Sequence, residues 1–117
     1  MAVVKYNISY VKGDSHQIQV TDVGEVDRMY MTVKDGSNLV KIQKRYYRDI
    51  RAGISEGIET QEDGSFLITL EPDDTDNLKD TVKYNYDIEI IVGKVKATII
   101  KGELKLTEEI TSCRDEV

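Results

Sequence analysis

The feature that most constrains this chain is a run near its C-terminal end, VKYNYDIEIIV, in which every second residue is apolar. Val82, Tyr84, Tyr86, Ile88, Ile90 and Val92 lie on one side of an extended segment, with polar residues mostly between them. A period of two is the signature of a strand with one buried face. The rest of the sequence follows suit. Tyr6, Ile8 and Tyr10 alternate before a Lys12-Gly13-Asp14-Ser15 turn, and Ile18 and Val20 alternate after it. Asp22-Val23-Gly24-Glu25 interrupts, and then Met29, Met31 and Val33 alternate. Asp35-Gly36-Ser37-Asn38 predicts a hairpin returning through Val40 and Ile42. Asp63-Gly64 precedes FLITL, and Gly93-Lys94 turns the long run into Val95, Ala97, Ile99, Leu104 and Leu106. β-branched and aromatic residues dominate these runs, as strands favour. Seven to eight short strands in about 100 residues predict an all-β, antiparallel sandwich over residues 1–106, with a polar tail over 107–117.

One segment fits two periods. In KIQKRYYRDIRAGI, Val40, Ile42, Tyr46 and Ile50 fit alternation with basic interruptions, whereas Ile42, Tyr46, Ile50 and Ile54 fit a helical stripe. The preferred reading is a strand that frays into a loop.

Length and composition bound the rest. At 117 residues the chain suits one domain with a real core. No apolar run approaches the roughly 20 residues of a membrane helix, and the first residues, MAVVKYNISY, lack the pattern of a signal peptide. The single cysteine, Cys113, cannot form an internal disulfide, and its polar surroundings predict an incidental exposed thiol. The net charge is −6, distributed unevenly. Through Ile58 there are nine basic and seven acidic residues; from Glu59 onward there are seven and fifteen. An acidic chain is a poor ligand for nucleic acid.

The local exception is Lys41, Lys44, Arg45, Arg48 and Arg51 around Tyr46 and Tyr47. Basic residues interleaved with aromatics can hold single strands. The preferred reading is a basic face answering the acidic second half, within the molecule or in a neighbouring copy. Lys44, Arg45, Tyr46, Tyr47 and Arg48 are therefore the candidate interface, since interfaces favour tyrosine and arginine.

Asp73, Asp74, Asp76 and Asp80 form the other notable cluster. Asp74 and Asp76 have the spacing of calcium ligands, but Lys79 stands where such a loop places its glycine. His16 is the only histidine and has no cysteine or acid cluster beside it, which predicts a strand-surface position and no metal site. No nucleophile–base pair or phosphate-cradling glycine pattern occurs, so no catalytic, cofactor or metal residue is assigned. The better account of the aspartates is structural. Pro72 fits the first turn of a short helix whose positive end the acids complement. That turn carries the chain from one sheet to the other, with Leu78 pointing inward. The following segment then looks like the corner that opens a late strand in immunoglobulin-like sandwiches, where a tyrosine hydroxyl bonds back to the preceding backbone. Tyr84 is the candidate, and Tyr86 takes the position that antibody domains give to a cysteine. Asp74, Thr75, Leu78, Tyr84 and Tyr86 are the structural-corner residues.

Several segments, in order, resemble a known group. They are YVKGDSHQIQV, MYMTVKDG, DGSFLITLEPDDTDNL, YNYDIEI and KATIIKGELKLTEEIT. The shared pattern is Gly13-Asp14, then Thr32-Val33-Lys34, then Asp74-Thr75 before Leu78. It continues with the Tyr84–Ile88 strand and a closing Thr98-to-Leu106 strand. This is similar to small tail- or baseplate-associated proteins of phages and prophages of Gram-positive bacteria, and to the N-terminal domain of baseplate upper protein. It spans about Tyr10 to Thr111. The chain departs from the pattern where Lys79-Asp80-Thr81-Val82 fills a place usual for glycine, and in the length of Arg45–Glu56. The resemblance implies an immunoglobulin-like sandwich acting as a non-enzymatic structural or adaptor component. Its partners would be other phage structural proteins or further copies of itself, in a virion assembled in the bacterial cytoplasm. A carbohydrate- or receptor-binding module is the alternative, and the lack of tryptophan counts against it.

Overall fold

The computed structural model describes residues 3–76, 78–79 and 82–107. Cys113, Asp80 and the tail from residue 108 lie outside them. Nine strands occur among the described residues: β1 (Val4–Lys5), β2 (Ile8–Val11), β3 (His16–Val20), β4 (Arg28–Lys34), β5 (Val40–Tyr47), β6 (Ile58–Thr60), β7 (Phe66–Leu70), β8 (Lys83–Val92) and β9 (Val95–Thr107). The larger sheet has the order β1-β9-β8-β4-β5, with β2 also on β9; the smaller is β3-β7-β6. The chain changes sheets between β2 and β3, between β3 and β4, between β5 and β6, and between β7 and β8. That Greek-key order is an immunoglobulin-like sandwich.

Three details differ from the sequence reading. There are nine strands rather than seven or eight, because β1 and β6 are too short to show a period. The larger sheet is mixed: β1 and β2 run parallel to β9, with Val4 opposite Ile100 and Ile8 opposite Leu104. Finally, β9 extends through Thr107.

The core forms where the inward faces meet. Met29, Met31 and Val33 of β4 and Ile88 of β8 are wholly buried against Ile68 and Leu70 of β7. Ile18, Val20, Phe66, Leu104 and Leu106 extend the same cluster. Ile50 and Ile54 are 86% and 81% exposed, so the helical stripe through Ile42 and Tyr46 does not form. The chain instead leaves β5 after Tyr47, turns, and folds back along the edge of that strand. The Arg45 N–H donates to the Glu56 carbonyl (2.9 Å) and the Glu56 N–H to the Arg45 carbonyl (2.8 Å). The Tyr47 N–H donates to the Ser55 hydroxyl (2.9 Å). An otherwise open edge is thereby covered from Arg45 to Tyr47, which accounts for the length of the segment.

Candidate functional site

The corner after β7 sets the long strand β8 in place. Pro72–Thr75 forms a 3₁₀ turn between β7 and β8. The Glu71 N–H donates to the Asp74 carboxylate (2.6 Å), and the same carboxylate oxygen holds the Lys44 ammonium at 2.6 Å. This ion pair ties β5 of the larger sheet to the acidic turn, with Lys44 only 12% exposed. Asp74 is therefore committed to protein partners. Thr75 is fully buried; its hydroxyl donates to the Pro72 carbonyl and accepts from the Gly13 N–H. Leu78 is buried, and the Tyr84 hydroxyl accepts from the Lys79 N–H (2.8 Å). Tyr86 donates to the Tyr6 carbonyl. Burial, and then the neighbouring Tyr6, push its phenol up to about 12. These five residues fix the chain's geometry. Among the described residues no cluster of histidine, cysteine and acids suits a metal ion. His16 opens β3 half-buried, its ring stacked on Tyr10 at 4.7 Å.

The five candidate interface residues do not share one face. Strand alternation sends Lys44 and Tyr46 inward, Lys44 to Asp74 and Tyr46 edge-on to Phe66 (5.0 Å, 69°). Arg45 and Tyr47 point outward. Arg48, beyond the strand, pairs with Glu25 and Asp27. Lys41 pairs with Asp35 and Arg51 with Asp49, so four of the five basic residues answer acids of their own chain, Lys44 alone across the Glu59 boundary.

The outward pair belongs to a surface that linear reading did not assemble. Along β4, Arg28, Tyr30 and Thr32 are half-exposed between buried Met29, Met31 and Val33. Register places Arg28 between Tyr47 and Ile91, Tyr30 between Arg45 and Glu89, and Thr32 between Gln43 and Asp87. The Tyr47 ring meets Tyr30 edge-on (6.0 Å, 85°), and the Arg28 guanidinium lies 5.4 Å from its centroid. A Cβ on Gly53 would fall 2.6 Å from the Tyr47 ring, so glycine there lets the folded-back loop seat against that ring. Lys96 pairs with Glu89 (3.1 Å). Among the described residues, Arg28, Arg45 and Asp87 enter no ion pair, and Arg45 Nε and Asp87 Oδ1 are buried without a partner. Burial raises the Asp87 carboxyl above the usual range; Glu89 adds to this, while Lys34 and Lys96 oppose it. Half-buried tyrosines and arginines on a sheet face can make contacts, and a hollow of about 660 Å³ is lined by Thr32, Lys34, Asn85 and Asp87 among others.

A cleft does exist at one end of the sandwich. About 620 Å³ in volume, it is lined by Asp22, Glu25, Tyr46, Arg48, Asp63 and Phe66 among others. Asp63 already accepts from the Ser65 N–H and hydroxyl.

No family model and no curated protein matches the chain. Among solved structures, it is similar to the V domain of amphioxus IgVJ-C2, with 11% identity and a TM-score of 0.34, over 86% of this chain and 99% of that one. At that score the fold assignment rests on strand order and register.

Proposed function

We propose that this chain is a non-enzymatic structural or adaptor component of a phage or prophage tail or baseplate, acting through protein–protein contacts. The observation that carries the contact role is the outer face of the larger sheet. There Arg28, Tyr30, Arg45 and Tyr47 are grouped by register, and the face contains charged groups that enter no ion pair among the described residues. Tyrosine and arginine dominate the energetics of interfaces. Ile50 and Ile54, exposed on the loop beside β5, add apolar surface that a partner would cover. The assignment to a phage particle is supported by the order of sequence motifs from Gly13 to Leu106.

The test is to purify particles from cells that carry the gene and probe the gradient for this chain. The proposal expects it in the tail-containing fractions at a fixed ratio to tail proteins. Its absence from intact particles would refute the assignment. The terminal cleft favours a second reading, a glycan- or receptor-binding module, because Tyr46 and Phe66 lie among its polar walls. A glycan screen separates the two: binding that Tyr46→Ala or Asp22→Ala abolishes would favour the module.

A further inference from the structure

We propose that the outer face of the larger sheet binds a second copy of this chain, about a two-fold axis lying along β4. The inference deepens the contact reading above, on which it rests. Charge and apolar surface are arranged to complement each other on either side of that strand. On one side β5 presents Gln43, Arg45 and Tyr47; on the other β8 presents Asp87, Glu89 and Ile91. A two-fold rotation about β4, with the axis between the copies, exchanges these sides. It lays β5 of each copy over β8 of the other. An interface of this kind is isologous, so one complementary pair occurs twice.

Register then fixes which residues meet. Arg45 and Glu89 share the Tyr30 row, so Arg45 faces Glu89 of the second copy. In the Arg28 row Tyr47 faces Ile91, and in the Thr32 row Gln43 faces Asp87. The flanking positions of the rows thus set a base against an acid, a ring against an aliphatic chain, and an amide against a carboxylate, while on the axis Tyr30 and Thr32 meet themselves and Arg28, drawn over the Tyr47 ring, meets its own copy. Asp87 lies one row from Arg45 of the second copy, where a guanidinium would offset the carboxyl charge that the isolated sheet leaves unpaired. Sheets stacked face to face lie ~10 Å apart, a gap that long side chains reaching from both sheets, such as Arg45 and Glu89, close together. A translation or an axis normal to the sheet would not bring β5 over β8.

Charge exchange in the full chain tests this by light scattering on a sizing column at low salt. The wild type is expected as a dimer that dissociates at high salt. Arg45→Glu and Glu89→Lys should each be monomeric, since each homodimer then holds two like-charge pairs. Mixed in equal amounts they should recover the dimer mass, because the mixed pair restores both contacts. The milder Arg45→Gln and Glu89→Gln, which keep size, should each weaken the dimer by about tenfold or more in Kd. A monomeric wild type at low salt, a dimer surviving either charge exchange, or a mixture that stays monomeric would overturn the proposal. None of these results affects whether the chain co-purifies with particles, so the two readings fail separately.

Discussion

Single residues carry both the constraint and the exposure of this fold. Tyr86 lies where antibody domains place a cysteine, and its hydroxyl reaches past β9 to tie β8 to the backbone of Tyr6 within the same sheet. Its phenol, like that of Tyr10, is held at about 12, in each case chiefly by burial. An unfolded tyrosine titrates near ~10, so between pH 10 and about 12 the native state holds protons that the unfolded chain has released. Stability should therefore be full below pH 10 and fall through that window. Tyr86→Phe should cost about 1 kcal/mol at neutral pH and flatten the alkaline decline, as urea titrations across pH would show. Asp87 acts in the same sense at acid pH. Its raised carboxyl means that the isolated wild type loses stability as pH rises from the ordinary carboxylate range through the raised pKa. Asp87→Asn should then be the more stable at pH 7, measured at monomer concentrations, with the difference closing on acidification. Tyr84 and Tyr86 were legible in the sequence because the corner is local: the Lys79 N–H lies five residues from the ring it reaches. The partner of Tyr86 was not, since Tyr6 is eighty residues away.

At the scale of elements, alternation showed which segments are strands but not how they pair. The hairpin at Asp35–Asn38 was readable from its turn chemistry, and Asp35 accepts from the Ser37 and Leu39 N–H groups (2.8 and 3.0 Å). Parallel pairing of β1 and β2 with β9 leaves no such mark. Its trace is Gly102, where a Cβ would fall 2.0 Å from the Tyr6 carbonyl oxygen. Nearby, the Asn7 side chain accepts from the Glu103 N–H (3.0 Å). Gly102→Ala should displace the first strands and cost about 3 kcal/mol, with faster hydrogen exchange at Ile8–Val11. The acidic turn makes a second element-level prediction. Asp74→Ala removes both the Lys44 pair and the bond from the Glu71 N–H. It should cost about 2 kcal/mol in chemical denaturation, whereas exposed Asp73→Ala should be near neutral. The candidate interface was read from consecutive residues, and alternation divides consecutive residues between two faces. Arg45 and Tyr47 remained on a surface for that reason, while Lys44 and Tyr46 went to the interior.

For the whole molecule, the two sheets are unequal in what they leave to solvent. The chain covers part of the β5 edge with its own loop and neutralises much of the basic run against its own acids. The outer face of the larger sheet keeps Arg28, Arg45 and Asp87 outside any ion pair among the described residues. The proposed contact role is accordingly placed on that face. Hydroxyl-radical footprinting of the full chain at low and high salt tests the assignment at the residues themselves. Tyr30, Tyr47 and Ile91 should be protected at low salt and become reactive as salt rises, while Tyr6 and Ile50 react equally throughout. Equal reactivity of Tyr30 and Tyr47 at both salts would contradict self-association through the larger sheet.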